Sequence, residues 1–394
     1  MAVEAHALTS EVPSATAVRL QQVRLRGSDV ELSFTDGRPA LELSLLWLRD
    51  HCPSPTVTHP QTRQRLADTF QIPADLAADS VDVIEEGRAL RVRWRHDAQP
   101  SLYSAAFLGG LRADPERLPL ERELWDQKQI CAHKPQVSYE PYLSSDATLL
   151  EALELLERHG LCWVEGVPGT PEATQAVARR ISYIRETIFG GYYDFTANLE
   201  HKDTAYTSLA IGPHTDGTYS LDAPGYQMFH CLAAECTGGE NVLLDGFKIA
   251  AILREQHPED YRVLTEVGIP GQYLDHERGI QLMARRPLFR LDAARGELVQ
   301  VSYNNHDRAP FVLPLEQHRR FYRALARFTA LCGEPALQYR RRLLPGTVLL
   351  FDNWRILHAR DAYVGYRRLA GAYLNKEDVE SRLRVLRIRA GQPI

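Results

Sequence analysis

Apolar and polar residues alternate in short stretches along most of this chain, which is typical of half-buried β-strands. Helical spacing of apolar residues interrupts these stretches at a few places. Because the strands do not alternate regularly with helices, the pattern favours an antiparallel barrel or sandwich over a doubly wound sheet. The predicted strands are 30–34, 90–94, 226–232, 242–245, 298–303, 347–352 and 367–374, and the predicted helices are 149–158, 171–184, 248–257 and 315–331.

The length of the chain predicts more than one domain, since 394 residues are many for a single hydrophobic core. The pattern fades into a charged stretch punctuated by prolines at about 115–135, which we interpret as a linker. We therefore predict a small β-rich N-terminal domain at 1–120 and a second domain at 121–394. The overall class is mainly β with flanking helices.

Composition excludes several classes of function. Hydrophobic residues make up 44% and charged residues 25%, as in ordinary globular proteins, and the net charge of −5 gives no reason to expect binding to nucleic acid or to an anionic membrane. No apolar stretch is long enough to span a bilayer. Residues 1–14 contain Glu4 and Glu11 and lack a basic start followed by an apolar block, so we predict no targeting segment and a cytoplasmic location.

One short string suggests chemistry. His214 and Asp216 are two residues apart in an extended segment, so their side chains point the same way and can share one ion. His358 follows a strongly apolar predicted strand and is the candidate third ligand. Two imidazoles and one carboxylate on one face are the ligand set of non-haem iron. Taken alone, the pair is as typical of a surface loop with a capped turn.

A second observation supports a metal site at His214, Asp216 and His358. Arg367 follows His358 in the last predicted strand, where a planar guanidinium is able to hold a distal carboxylate through two hydrogen bonds. A zinc hydrolase with the same three ligands has no use for such an arginine. The combination therefore favours a metal site over a capped surface turn.

Ordered strings from about residue 181 to 386, and one near the N-terminus, resemble the family of trimethyllysine and γ-butyrobetaine dioxygenases. These proteins are TauD/TfdA-like oxygenases that depend on Fe(II) and 2-oxoglutarate. The resemblance covers nearly the whole chain after about residue 20. The matching strings are Trp47-Leu48-Arg49-Asp50-His51-Cys52, Arg185-Glu186-Thr187-Ile188, Asp203-Thr204-Ala205-Tyr206-Thr207, His214-Thr215-Asp216, Phe229-His230-Cys231, Thr237-Gly238-Gly239, Asp245-Gly246-Phe247, Tyr303-Asn304-Asn305, Asp352-Asn353-Trp354-Arg355 and Gly365-Tyr366-Arg367.

The resemblance implies a double-stranded β-helix, or jelly-roll, with Fe(II) bound by His214, Asp216 and His358. It implies that Arg367 binds the distal carboxylate of 2-oxoglutarate, that O2 is the oxidant and that ascorbate serves as reductant. Asn241 stands where relatives often place a hydroxyl near the cosubstrate; an exposed strand start is the alternative. Relatives also form homodimers, which we predict here.

The family also implies where a substrate binds. A quaternary ammonium group has no N–H donor, so proteins hold it with aromatic faces. The family's cage positions correspond to Phe189, Tyr193 and Tyr206. Relatives carry tryptophan in place of Tyr193 and tyrosine in place of Phe189, which implies a weaker or differently shaped cage. The alternative is that these rings pack a core beside the barrel mouth.

Other positions bear on the choice of substrate. Asp203 matches an acid of the trimethyllysine branch, where the γ-butyrobetaine branch has asparagine; such an acid can pair with the α-ammonium that only trimethyllysine has. Asn304 or Asn305 is a candidate polar contact, with a turn residue as the alternative. Our first hypothesis is hydroxylation of Nε-trimethyllysine at C3. γ-Butyrobetaine, another small cationic or amino-acid substrate, and a non-catalytic metal-binding protein of the same fold are the alternatives.

The N-terminal region departs from the γ-butyrobetaine pattern. Relatives can bind zinc there with several cysteines and a histidine. Here Cys52 remains, but Ser54 and Val57 stand where further cysteines are expected. Because a structural zinc site needs about four ligands, we predict that no zinc binds in this domain.

Overall fold

The computed structural model describes residues 18–95, 97–111, 120–196 and 207–393. The chain divides into two compact units, Met1–Arg117 and Leu118–Ile394. In these described ranges, we find no helix that has both the length and the apolar character required to cross a membrane.

The first unit is built mainly of two antiparallel sheets, with strand orders β1-β2-β3 and β4-β5-β6. The alternation predicted at 30–34 and 90–94 is confirmed, because every second residue of β2 and β5 is buried. These inward side chains form one apolar core. The elements are β1 (Leu20–Arg26), β2 (Asp29–Phe34), β3 (Leu41–Ser44), α1 (Leu45–Asp50), β4 (Ala78–Ile84), β5 (Ala89–Trp94), β6 (Ser101–Ser104) and α2 (Ala105–Gly109).

Cys52 contributes to this core. Its side chain is buried, and its sulfur lies 3.1 Å from the hydroxyl oxygen of Ser101. Val57, at one of the positions where relatives have cysteine, packs in the same apolar cluster. The two residues thus serve packing in this unit, and the absence of a zinc site stays a prediction.

The second unit carries the larger set of elements, which begins with a helix and ends with one. The elements are α3 (Gln127–His133), β7 (Gln136–Ser138), α4 (Tyr139–Ser144), α5 (Asp146–His159), β8 (Leu161–Glu165), α6 (Pro171–Ile181), β9 (Tyr193–Phe195), β10 (Ile211–His214), β11 (Tyr226–Gly238), β12 (Asn241–Asp245), α7 (Gly246–Gln256), α8 (Pro258–Glu266), β13 (Ile269–Asp275), β14 (Ile280–Arg286), β15 (Phe289–Leu291), β16 (Leu298–Val301), α9 (Leu315–Gly333), β17 (Tyr339–Arg341), β18 (Thr347–Asp352), β19 (Ile356–Arg360), β20 (Tyr363–Leu374) and α10 (Lys376–Arg389).

Two sheets organise this unit. A six-stranded sheet has the order β7-β8-β18-β11-β20-β9, and a four-stranded sheet has the order β10-β19-β12-β17. The strand pairs are antiparallel except β7 with β8. The predicted class, mainly β with flanking helices and a jelly-roll core, is confirmed. All six residues of β18 are buried, since one face looks into the barrel and the other is covered by helices.

Helix α5 shows why the sequence forms these elements. Its N-cap is Ser145, whose hydroxyl accepts a hydrogen bond from the backbone N–H of Thr148, and Gly160 ends it with a φ of 75°. Only glycine adopts that left-handed conformation without strain. The helix predicted at 149–158 is confirmed and begins three residues earlier than predicted, at Asp146.

The prediction that residues 115–135 form a linker is wrong for the part that the structure describes. Helix α3 begins there with a capping box between Asp126 and Gln129. Trp125 is only 1% exposed, and its indole N–H donates to the carbonyl of His159 at 2.7 Å. The many charges of this stretch outweigh, in the sequence pattern, the few apolar side chains that anchor it in the second unit's core, such as Trp125 and Ile130.

Candidate metal centre and cavity

The first two candidate ligands lie on neighbouring strands. His214 ends β10, and its backbone partner across the antiparallel ladder is His358 in β19. Directly opposed residues of a ladder project their side chains to the same face of the sheet. The two imidazole rings are accordingly 4.1 Å apart between centroids.

Asp216 completes the group. Its Oδ1 lies 3.3 Å from Nε2 of His214 and 3.7 Å from Nε2 of His358. All three ligand atoms are within 4.8 Å of one another. The Nδ1 of His214 donates to the carbonyl of Gly212 at 2.8 Å, which leaves the Nε2 lone pair directed toward the centre of the group.

The Asp216 carboxylate and backbone are both held in place. The hydroxyl of Tyr373 donates to Oδ2 at 2.7 Å, so Oδ1 alone is directed at the histidines. The backbone N–H of Asp216 donates to Oδ1 of Asn353 at 2.8 Å, and the Asn353 amide donates back to the Asp216 carbonyl at 3.1 Å. Gly217, with a φ of 73°, then turns the chain away from the site.

The electrostatics of the group favour the ligand form of two of its three members. Burial lowers the pKa of His214, but the hydrogen bond and charge of Asp216 outweigh it and raise that pKa, so a bound cation would have to displace a proton from His214. Burial raises the pKa of Asp216, but His358 and His214 outweigh it and hold that pKa well below its usual range. Burial and the neighbouring His214 lower the pKa of His358 to about 3. At neutral pH the site therefore presents a carboxylate and a neutral imidazole, which are ligand forms. Burial and the Asp216 charge raise the pKa of Tyr373 far above its usual range, so its phenol stays a donor.

The three residues line a cavity of about 350 Å³. Its wall combines residues of the four-stranded sheet, such as Asn241 and Leu243, with residues of the six-stranded sheet, such as Phe229 and Leu349. The cavity thus lies between the two sheets of the jelly-roll. Burial of its wall means that a bound molecule is largely removed from water.

Arg367 projects from β20 into this cavity and is only 4% exposed. Its nearest polar partner is Oδ1 of Asn241, at 3.4 Å. Burial lowers the pKa of Arg367, and none of the largest opposing effects from the described residues comes from a carboxylate. The next residue, Arg368, points to the other face of the strand and forms two hydrogen bonds with Asp194, at 2.6 and 2.8 Å.

Aromatic rings form another part of the wall. Phe189 contacts Tyr273 edge to face with centroids 5.8 Å apart, and Tyr219 lies 5.4 Å from Tyr273. Tyr193 also lines the cavity, although it is 8% exposed and packs against Tyr373 at 5.5 Å. Both predicted aromatic residues that the structure describes, Phe189 and Tyr193, therefore face the cavity, together with two tyrosines that the sequence did not point to.

A close backbone approach holds Tyr193 in this place. Gly371 of β20 is the ladder partner of Tyr193 in β9. A β-carbon added to Gly371 would collide with the Met228 carbonyl and with the Tyr193 ring. The hydroxyl of Tyr193 donates to that same carbonyl at 3.1 Å. The absence of a side chain at Gly371 therefore allows the ring to lie against the sheet.

The remaining predicted contacts are divided. Asn304 lines the cavity and donates to Asp307 at 2.8 Å, whereas Asn305 is exposed and is not part of the cavity wall. Asn241 is buried, so the alternative prediction of an exposed strand start is wrong. Asp203 and Tyr206 lie outside the described residues, so their predicted roles stay predictions.

Besides these two tyrosines, the sequence analysis missed three further residues of the site. Tyr373 was detectable, because Arg367, Leu369, Gly371 and Tyr373 alternate on one face of β20. Asn353 and the cavity-lining Asp307 carry no such local signal. Both lie in segments without regular secondary structure, where spacing does not reveal direction.

The comparisons with known proteins agree with this arrangement. The profile of the taurine catabolism dioxygenase TauD, TfdA family matches residues 126–373, and that of the γ-butyrobetaine hydroxylase-like N-terminal domain matches residues 21–109. A trimethyllysine dioxygenase of Meyerozyma guilliermondii is 36% identical over 91% of this chain and 94% of its own. A mitochondrial trimethyllysine dioxygenase of Gallus gallus is 34% identical over 93% of this chain and 88% of its own.

A third relative represents the other branch. A γ-butyrobetaine dioxygenase of a Pseudomonas species is 34% identical over 91% of this chain and 94% of its own length. Sequence similarity of this extent, in both parts of the chain, accompanies the jelly-roll and the two-histidine, one-carboxylate group described above. The chain therefore belongs to the TauD/TfdA dioxygenase family, in the group that contains the trimethyllysine and γ-butyrobetaine dioxygenases.

Proposed function

We propose that this protein hydroxylates Nε-trimethyllysine at C3 in a reaction that depends on Fe(II), 2-oxoglutarate and O2. Family membership supports the dependence on iron and 2-oxoglutarate. The observation that carries the proposal is the convergence of a two-histidine, one-carboxylate group and a buried, carboxylate-free Arg367 on one cavity.

The donor atoms of His214, Asp216 and His358 fit Fe(II). Their ligand atoms lie within 4.8 Å of one another in the wall of the cavity, so an ion that they held would be accessible from the cavity. Two imidazole nitrogens and one carboxylate oxygen are the donors of non-haem iron oxygenases. The hydrogen bonds to Gly212 and Tyr373 orient a histidine and the carboxylate before the ion arrives.

Arg367 fits the cosubstrate. A buried guanidinium without a carboxylate partner is costly unless an anion joins it, and the distal carboxylate of 2-oxoglutarate offers two acceptor oxygens. Asn241 orients the guanidinium from one side. The chemistry that iron and 2-oxoglutarate supply when bound is the insertion of one oxygen atom of O2 into a C–H bond, with release of succinate and carbon dioxide. The residues of this chain bind, orient and keep water out.

The aromatic wall supports a cationic substrate. Phe189, Tyr219 and Tyr273 offer ring faces and edges to the cavity, with Tyr193 beside them. Asp307 adds a carboxylate to the same wall, and the sequence resemblance adds Asp203. An ammonium group on the α-carbon needs such an acid, which favours trimethyllysine over γ-butyrobetaine. The latter, or another small cationic substrate, is the alternative; a non-catalytic protein would have no need of Arg367.

The test is succinate formation by the purified chain with Fe(II), ascorbate and 2-oxoglutarate. We expect trimethyllysine to raise succinate well above the substrate-free rate and to yield a product heavier by one oxygen atom. Lysine is the matched control, because it lacks only the three methyl groups. Stimulation by γ-butyrobetaine alone would move the assignment to the other branch, and no stimulation by either compound would contradict the proposal.

Replacement of Tyr373 by phenylalanine tests how the carboxylate is held. Without the hydroxyl, Asp216 loses the donor on Oδ2 and becomes free to rotate, so we expect roughly ten- to a hundredfold weaker Fe(II) binding. Anaerobic titration with Fe(II) measures this. Tyr366→Phe, an exposed tyrosine of the same strand, is the control and should leave the affinity unchanged. Equal affinity in Tyr373→Phe would mean that the hydrogen bond has no role in metal binding.

Some predictions rest on the resemblance or on the sequence alone. We propose ascorbate as reductant and a homodimeric assembly because relatives of this family use them. The cytoplasmic location stays a prediction, and the Gallus gallus relative is named a mitochondrial protein. The negative net charge supports a small-molecule substrate rather than nucleic acid or a membrane surface.

A further inference from the structure

A second group of metal-ligating side chains lies outside the cavity, at Glu123, His133 and His159. Oε2 of Glu123 is 3.6 Å from Nε2 of His133 and 4.0 Å from Nδ1 of His159. The two imidazole rings are 4.7 Å apart between centroids. These separations are only a few tenths of an ångström longer than the 3.3 and 3.7 Å found in the candidate iron centre.

The two groups also share an arrangement. In the iron centre one oxygen of Asp216 faces both histidines while Tyr373 holds the other. Here one oxygen of Glu123 faces both histidines, and Arg158 holds the other at 3.4 Å. In both cases a second partner directs one carboxylate oxygen at a pair of imidazole nitrogens. The second group therefore has the geometry of a ligand set.

An unpartnered buried atom points to a missing ligand. His159 is 4% exposed, and its Nδ1, the atom directed at Glu123, has no hydrogen-bond partner among the described residues. A buried polar atom left without a partner costs about 1–3 kcal/mol, and native proteins usually supply a partner, a water or an ion. Burial lowers the pKa of His159 to about 4, against the opposing effect of Glu123, so its imidazole is neutral at physiological pH.

The backbone keeps two of the three residues in place. The N–H of Glu123 donates to the carbonyl of Arg158 at 2.9 Å, and Arg355 donates to the Glu123 carbonyl at 2.7 Å. The indole N–H of Trp125 donates a hydrogen bond to the carbonyl of His159. Only His133, at the end of α3 and 46% exposed in its side chain, approaches from a more open position. Preorganisation of this kind lowers the entropy lost on binding an ion.

We propose that Glu123, His133 and His159 form a second divalent-cation site, selective for a borderline ion such as Zn²⁺, that ties the end of α3 to the end of α5. Zinc bonds of 2.0–2.1 Å in a tetrahedron place ligand atoms about 3.4 Å apart. The separation of Glu123 from His133 therefore needs to shorten by about 0.2 Å, and that of Glu123 from His159 by about 0.6 Å. Two imidazoles and a carboxylate leave one position for water. The site binds zinc in preference to Fe(II), since nitrogen ligands follow that order of affinity.

The proposal concerns the unit's stability and is independent of the substrate. It is tested on the full chain by equilibrium dialysis against Zn²⁺ with metal analysis, in an Asp216→Ala background that removes a ligand from the iron centre. We expect one tightly bound zinc per chain in that background. Adding His133→Ala should remove it, and so should Glu123→Gln, which keeps the size of the side chain. Adding His276→Ala, which removes an exposed histidine elsewhere in the same unit, should not.

A thermal melt distinguishes a bound ion from loose surface association. Added Zn²⁺ should raise the Tm of the Asp216→Ala protein by several degrees and leave that of Asp216→Ala/His133→Ala unchanged, because an ion that binds only the folded state stabilises it. Zinc content that is equal in these two variants, or absent from both, would overturn the proposal and leave an ordinary ion-pair cluster around Arg158. His133 is exposed, so its replacement is not expected to impair folding.

Discussion

Asp216→Ala is expected to abolish stoichiometric Fe(II) binding and to reduce 2-oxoglutarate turnover by roughly a thousandfold or more, since a catalytic metal contributes several kcal/mol to its reaction. The variant removes the sole anionic donor of the group, and the two histidines that remain are a much weaker ligand pair. The carboxylate also neutralises part of the charge of the ion. Its loss therefore weakens metal binding in two ways, by removing a donor atom and by removing a negative charge. Anaerobic titration and succinate release measure the two effects separately.

The control for this variant is Asp361→Ala. The side chain of Asp361 is 44% exposed and forms an ion pair with Arg340 at 2.7 Å; such surface pairs contribute little. Iron binding and turnover should be those of the unaltered protein. Circular dichroism and the Tm of Asp216→Ala should stay close to the unaltered values in the absence of metal. Retention of one equivalent of iron in Asp216→Ala would refute the ligand assignment.

Arg367→Ala is expected to raise the KM for 2-oxoglutarate by roughly a hundredfold or more, since two charge-assisted hydrogen bonds are worth about 3 kcal/mol or more. Arg367→Lys keeps the charge but loses the planar fork, so its effect should be smaller. Because Arg367 is distant from the bond that breaks, most of the loss should appear in KM and less in kcat. Steady-state kinetics with varied 2-oxoglutarate measure both constants.

The neighbouring residue provides a matched control. Arg368→Ala removes an arginine from the same strand, but that side chain binds Asp194 on the opposite face. Its KM for 2-oxoglutarate should change little. Stability offers a second readout, because Arg367→Ala removes a buried cation that lacks a carboxylate partner and should not lower the Tm. Addition of 2-oxoglutarate should raise the Tm of the unaltered protein only; an equal rise in Arg367→Ala would contradict the role of Arg367.

Much of the fold was predictable because local patterns determine it. Alternation predicted β2 and β5 in the first unit, and the helical spacing of apolar residues predicted α5. The spacing of two between His214 and Asp216 likewise implied that their side chains share a direction. Each of these features depends on residues that are close in sequence, where the geometry of the backbone is known in advance.

What was missed depends on contacts between distant segments. Helix α3 and Trp125 lie in a charged stretch whose pattern indicates a linker, and burial of one indole overrides that pattern. The hydrogen bond between Asp216 and Asn353 joins two loops, so no periodic pattern in the sequence predicts it. The Glu123 group likewise draws on three separate segments. In such cases the direction of a side chain follows from tertiary packing, which a single sequence does not display.

The pairing of His214 with His358 has a consequence for unfolding. An ion bound to both would join strands β10 and β19, whose ladder closes a loop of roughly 145 residues, in the manner of a removable cross-link. If the bound ion acted as a covalent link does, it would lower the chain entropy of the unfolded state and so stabilise the folded state by roughly 5 kcal/mol. Iron would then protect the jelly-roll against opening, and its removal would make the barrel more susceptible to proteolysis and aggregation.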